Sequence, residues 1–196
     1  MGLMVLLAVG ATGLSAASIP VITFRATDLE GMTRLAAQPG AHATVWIFLT
    51  HDCPICNGYA PLINRLAARY RSKGVQWNLV YSEPALTLAD LRTHARDYGF
   101  KATLIADPEV RLARACGATT TPEVAVFDES SQLVYRGRID DLYPEIGRSR
   151  SQAQTHDLEN ALNQLLAGHP VAQPRTRAVG CALETPAHAA PVPIIP

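Results

Sequence analysis

Cys53 and Cys56, in Thr50-His51-Asp52-Cys53-Pro54-Ile55-Cys56, mark the place in this chain where residue type and spacing point to covalent chemistry. Two thiols separated by two residues can close an intramolecular disulfide and reopen it by thiolate attack, which is what exchange through a mixed disulfide requires. The flanking residues say how the pair is presented. Ala43–Leu49 is short, β-branched and aromatic and reads as a buried strand that ends at the cysteines. From Pro54 onward Ile55, Tyr59, Leu62, Ile63, Leu66, Ala67 and Tyr70 recur at helical spacing, and proline suits a first helical turn. Cys53 then stands at a helix N-terminus, where unpaired amides and the helix dipole favour thiolate and lower the pKa from about 8.5 into the range of about 3.5–7.5. Pro54 and Ile55 add no side-chain donor or charge, so the expected drop is moderate and the expected direction is that of a reductant or disulfide shuttle.

The same two cysteines also fit a structural disulfide or half of a zinc site. Zinc needs two more ligands, and His51, Cys116, Cys181 and His188 show no paired ligand spacing, so neither a metal nor a cofactor is expected. His51 and Asp52 read as solvated turn residues, with a protonated His51 the alternative support for the Cys53 thiolate. Cys116 closes an apolar helical face and reads as a small buried hydrophobe. Cys181, in Arg177-Ala178-Val179-Gly180-Cys181-Ala182-Leu183, is a possible extra thiol that resolves a disulfide on Cys53, tethers a partner or stands idle.

Two stretches carry a family resemblance. Cys53-Pro54-Ile55-Cys56-Asn57-Gly58-Tyr59-Ala60-Pro61 resembles the thioredoxin pattern C-x-x-C-x-x-x-A-P, and Cys116-Gly117-Ala118-Thr119-Thr120-Thr121-Pro122 resembles the loop whose cis-proline faces the cysteines. The likeness spans roughly residues 20–167. It implies a thioredoxin fold with a central mixed β-sheet flanked by helices, and a cis Thr121–Pro122 bond beside which Thr121 offers backbone hydrogen bonds to an extended substrate. Val21 to Gly31 is similar to the opening of the redoxin and peroxiredoxin branch and implies an N-terminal β extension. The whole resembles exported redoxin-domain proteins of the AhpC/TSA-like and TlpA-like groups. Two departures matter. Ile47 stands where thioredoxins bury the aspartate that takes the proton of the second cysteine, which leaves Glu123 or Asp52 as substitutes. Thr50 matches the peroxiredoxin pattern P-x-x-x-T-x-x-C, but Trp46 replaces its proline; Arg136 stands where that family places a peroxide-binding arginine. The resemblance thus implies a thiol–disulfide oxidoreductase, with a thiol peroxidase or a Cu(I)-binding redoxin relative as alternatives.

The remaining elements must position these residues. Val75 to Tyr81, Ala102 to Ala106, Glu123 to Phe127 and Leu133 to Arg138 read as strands, the last two as a hairpin. Thr87 with Asp90 caps a helix over Leu88 to Tyr98, Asp107-Pro108 opens another, and Thr155 to Ala167 is a final amphipathic helix ended by Gly168. Ile139 to Gln154 has no period and is long enough to be a lid. Strand, helix and strand in this order imply an α/β fold with a right-handed parallel crossover. At 196 residues one domain is expected, over 18–168. Residues 169–196 are proline-rich and read as a largely disordered tail. Seventeen basic and seventeen acidic residues cancel, with no basic block, which argues against nucleic acid. Residues 1–17 read as a signal peptide or N-terminal anchor: Met1 to Phe24 has no charge, and Ser15-Ala16-Ala17 resembles a cleavage site. Export predicts a periplasmic or extracytoplasmic protein with protein thiol or disulfide substrates and an envelope redox partner, touching the membrane only if the leader is retained.

Overall fold

The computed structural model describes residues 22–184. A short antiparallel hairpin comes first, β1 (Arg25–Thr27) with β2 (Thr33–Leu35). The Asp28 carboxylate holds its turn, accepting from the amides of Glu30 and Met32 and from Arg34 Nε. β3 (Ala43–Leu49) is buried along its whole length, as its continuous apolar run requires of a central strand. It leads through the cysteine turn into α1 (Pro54–Arg71), which contains Pro61, and then to β4 (Val75–Tyr81).

α2 (Leu88–Asp97) begins at Thr87, whose hydroxyl accepts the Asp90 amide at 3.1 Å. After β5 (Thr103–Ala106), α3 (Arg111–Cys116) starts later than Asp107-Pro108 suggests. Asp107 still caps it: the carboxylate receives the amides of Arg111, Leu112 and Ala113 at 2.8–3.2 Å, reaching past Val110, which turns into the left-handed region. β6 (Thr120–Thr121), β7 (Glu123–Phe127), β8 (Leu133–Gly137), α4 (Asp157–Leu166) and β9 (Cys181–Ala182) complete the order.

The main sheet runs β5-β4-β3-β7-β8, with β3 parallel to β4 and β4 to β5, and with β7 antiparallel to both β3 and β8. The alternation of β3 sorts its two faces. Val45, Ile47 and Leu49 pack with α1, α2 and α4, whereas Trp46 and Phe48 pack with α3 and the N-terminal hairpin. Trp46 anchors that second layer, donating Nε1 to Ala36 O at 2.9 Å and meeting Phe24 edge-on at 4.8 Å. This is an α/β thioredoxin fold with a central mixed sheet flanked by helices and an N-terminal β extension.

Two expectations change here. Residues 169–184 are packed on the domain rather than disordered. Their backbone lies along the free edge of β8, with Arg136 N donating to Pro174 O at 2.9 Å and Thr176 N to Arg136 O at 3.1 Å, and then crosses to β6. Thr176 Oγ1 adds bonds to Tyr135 Oη at 2.7 Å and to the Arg138 amide at 3.0 Å, where Gly137 leaves room for it. Proline spacing hides this, because an edge pairing needs only a few backbone groups and no side-chain period. The segment 139–156 is pinned at its base: Tyr59 donates to Asp140 Oδ1 at 2.5 Å, and Asp141 Oδ1 receives the amides of Gln154 and Thr155. Beyond that base the segment is exposed at residues 145–149, and there Ile146 stands well into solvent. Residues 1–17 and His188 lie outside the described residues. No helix among the described residues is long and apolar enough to cross a membrane.

Candidate active site

β3 delivers the cysteine turn to the end of the sheet, and α1 fixes it. Cys53 is the N-cap residue of α1, with Pro54 in the first turn as the sequence implies. Both Cys53 and Cys56 are 1% exposed. The Thr121–Pro122 bond is cis, as the resemblance implies, and turns the Thr121 carbonyl toward Cys53 at 3.5 Å.

The two thiols titrate in opposite directions. The Cys56 thiol, donating to Cys53, holds Cys53 down to about 5 against the opposing effect of burial, with help from the Cys181 thiol and the Cys56 and Cys181 amides. Burial pushes Cys56 well up, and the charge it faces on Cys53 pushes the same way, while the Thr50 backbone and Thr121 hydroxyl oppose. Such a pair has one nucleophile and one reserve thiol. The Cys53 value is lower than Pro54 and Ile55 alone suggest, because two thiols, Cys56 in the first turn of α1 and Cys181 from a distant strand, also donate to it.

Thr50 Oγ1 meets Thr121 Oγ1 at 3.3 Å, so Thr50 belongs to the wall between the cysteine turn and the cis-proline loop. Glu123 does not contact Cys56 in place of the missing aspartate; its carboxylate receives the amides of Thr119 and Thr120 at 2.9 and 3.3 Å and braces that loop. Arg136 lies against Glu123 at 3.5 Å and donates to Gly117 O at 2.5 Å and Cys116 O at 3.4 Å, so its guanidinium is engaged behind the loop. Cys116 is fully buried with Trp46 and Ala113 on the opposite face of the sheet, and burial raises its pKa.

His51 turns to β4's exit. Its Nδ1 lies 2.6 Å from Glu83 Oε1 and its amide donates to Glu83 Oε2 at 3.1 Å. His51, Asp52 and Glu83 have ligand atoms within 4.8 Å of one another, the one metal-compatible group among the described residues, but His51 Nδ1 is already committed to Glu83. Sequence reasoning missed a neighbouring chain of bonds: Tyr81 Oη to His94 Nδ1 at 2.9 Å, His94 Nε2 to Asn57 Oδ1 at 2.9 Å, and Asn57 Nδ2 to His51 O at 3.0 Å. Burial lowers the His94 pKa and the nearby His51 adds to this, which favours the neutral ring. Asn57 Oδ1 can only accept, which puts the proton on Nε2 and leaves Nδ1 to accept from Tyr81. Tyr81 ends β4 on the α1 face, the position a period-two reading assigns it, yet its tie to His94 spans two elements and leaves no local signal.

Cys181, which the sequence leaves open between a resolving thiol, a tether and an idle thiol, lies beside Cys53. Its Sγ lies 2.7 Å from Cys53 Sγ, and its strand pairs antiparallel with β6, Thr121 opposite Cys181. Burial and the hydrogen bond to Cys53 push the Cys181 thiol up to about 12. Next to it, a cleft of about 740 Å³ opens between Thr176–Gly180 and the tip at Pro144–Ile146, with Glu123 and Arg136 at its floor.

Residues 15–155 match the Redoxin family model. The chain belongs to the Redoxin family. No curated protein matches it. Among solved structures, a hypothetical protein from Sinorhizobium meliloti shares 23% identity at a TM-score of 0.74, over 88% of this chain and 97% of that one. An uncharacterized conserved protein from Geobacillus kaustophilus shares 25% identity at 0.74, over 92% and 100%. The thioredoxin domain of a thiol-disulfide oxidoreductase from Bacteroides vulgatus shares 14% identity at 0.53, over 62% of this redoxin and 89% of that chain. Fold and family together are those of thiol redox enzymes.

Proposed function

We propose that this redoxin is a thiol–disulfide oxidoreductase that exchanges protein disulfides through Cys53 and Cys56. The observation that carries this reading is the opposite tuning of the two thiols, an acidic Cys53 at the α1 N-terminus and a protonated Cys56 one turn behind it. The Cys53 thiolate attacks one sulfur of a substrate disulfide; that S–S bond breaks, a Cys53–substrate bond forms, and the other substrate sulfur leaves as thiolate. Cys56 then loses its proton to the departing thiolate and attacks Cys53 Sγ. The substrate leaves reduced, and the protein keeps a Cys53–Cys56 disulfide. Tyr81, near enough to Cys56 for a thiolate there to raise its own pKa, and the cis-proline loop with Thr121 shape this second step.

Reduction of insulin disulfides tests the reading. Cys53→Ser should abolish turnover, and Cys56→Ser combined with Cys181→Ser, which also removes the thiol 2.7 Å from Cys53, should accumulate mixed disulfides; insulin reduction that survives Cys53→Ser would remove it. The peroxidase alternative has less support, because Arg136 is engaged by Gly117, Cys116 and Glu123, and Trp46 faces the opposite layer. The Cu(I) alternative gains a third sulfur in Cys181, and the copper content of the purified reduced protein decides it. The uncharged leader supports action in the cell envelope on protein substrates supplied by an envelope redox partner. Cell fractionation with N-terminal mass analysis tests that placement, and an intact leader on cytosolic protein would refute it.

A further inference from the structure

In this fold the edge next to the cis-proline is where an extended chain can meet the reactive cysteine, and here that edge is taken. β9 lies on β6 with Cys181 opposite Thr121. Leu183 N donates to Thr119 O at 3.0 Å, and Thr121 Oγ1 donates to Cys181 O at 3.4 Å. The approach depends on a residue without a side chain: a Cβ on Gly180 would run into the Thr121 carbonyl and come within 3.2 Å of Pro122 Cδ. The strand delivers a sulfur to 2.7 Å from Cys53 Sγ, and Cys53 beneath it is 1% exposed while Cys181 remains partly open.

We propose that Cys181 is a third redox cysteine: its strand is a resident substrate of the Cys53–Cys56 pair, and a Cys53–Cys181 disulfide is the form through which external thiols reach that pair. This rests on the oxidoreductase reading and extends it. Starting from the Cys53–Cys56 disulfide, the Cys181 thiolate attacks Cys53 Sγ; the Cys53–Cys181 bond forms, the Cys53–Cys56 bond breaks, and Cys56 leaves and takes up the proton that Cys181 gave up. No electrons are consumed. An external dithiol then attacks Cys181, the accessible sulfur, and Cys53 leaves as a thiolate, the more acidic and better leaving group. The second external thiol closes its own disulfide on the first and frees Cys181. The external dithiol has been oxidised by two electrons and the Cys53–Cys56 pair reduced by two.

The trap is Cys56→Ser, in which Cys53 can pair only with Cys181 or with an added thiol. The reduced full-length variant is exposed to oxidised glutathione and its disulfides are mapped by peptide mass. A thiol held in contact has an effective concentration of at least the order of 1 mM, so a Cys53–Cys181 disulfide should dominate over the glutathione adduct when glutathione is about tenfold or more below that concentration. Cys56→Ser with Cys181→Ser should instead carry glutathione on Cys53. Gly180→Val in the Cys56→Ser background keeps both thiols but displaces the strand, and should also carry glutathione there. In the otherwise unmodified chain, Cys181→Ser should slow re-reduction of the Cys53–Cys56 disulfide by dithiothreitol several-fold. Glutathione on Cys53 with Cys181 left free in Cys56→Ser, or an unchanged re-reduction rate in Cys181→Ser, would overturn the proposal. Loss of insulin reduction in the unmodified protein with the Cys53–Cys181 disulfide still mapped would instead refute the oxidoreductase reading alone.

Discussion

Replacing Cys56 with alanine removes the largest influence holding the Cys53 thiol down, and its size can be worked out. With a pKa of about 5, Cys53 is roughly 99% thiolate at pH 7 and roughly 90% at pH 6. A hydrogen bond to a charged group contributes about 1.5–3 kcal/mol, which corresponds to about 1–2 pKa units. Cys56→Ala should therefore move Cys53 to about 6–7, because the Cys181 donor and the α1 amides remain. At pH 6 the thiolate fraction then falls to half or less. Cys56→Ser keeps a hydroxyl donor at the same place and should shift less. The assay is the pH dependence of iodoacetamide alkylation of Cys53, located by peptide mass, with buried Cys116 silent. A Cys53 midpoint in Cys56→Ala that stays at about 5, or a Cys56 in Cys53→Ser that titrates below Cys53, would refute the reasoning.

Other consequences are as direct. Cys53 has a folded pKa below its ordinary 9.0, so its stabilising contribution to the reduced protein grows from pH about 5 to about 9 and is lost as pH falls through about 5. Melting curves of the reduced and disulfide forms should shift in favour of the reduced form across that window, and a constant difference would contradict the linkage. The reduction potential should fall between the roughly −270 mV of thioredoxin and the roughly −120 mV of DsbA, since about 5 lies between their respective pKa values of about 7 and about 3.5; equilibration with glutathione measures it, and a value outside that interval counts against the thiolate argument. Asp107→Ala leaves three amides of α3 without their acceptor and should cost about 2–3 kcal/mol in urea unfolding; a loss below about 0.5 kcal/mol would show that the cap is not structural.

Most of the fold was legible because its strands and helices carry their own periods. β3 and β4 coincide with apolar runs bounded by turn residues, and the start of α1 follows from Pro54. The α3 boundary was less legible: Asp107 announced a cap, but the chain spends Pro108 to Val110 on a turn before the helix starts. β6 and β9 had no readable signal at all. Two residues cannot express a period of two, and their pairing joins positions about sixty apart through backbone groups that every residue has. Tyr81 and His94 were hidden for the same reason, each looking like an ordinary core residue until the other is placed beside it.

The Cys53 thiolate shows what this distance hid. Burial and the donor that causes it arrive together, because the strand that excludes water from Cys53 also brings the Cys181 thiol to it. Burial disfavours the charged form and the donor favours it. Both are influences on the Cys53 pKa and act in opposite directions. Displacing the strand with Gly180→Val removes both at once, so the Cys53 midpoint should move little. Access changes without such compensation, since an alkylating reagent must reach a sulfur that is otherwise 1% exposed. The limiting alkylation rate above the midpoint should therefore rise while the midpoint itself stays near its place. A midpoint that moved by as much as in Cys56→Ala, at an unchanged limiting rate, would mean that the strand sets the acidity of Cys53 and not its accessibility.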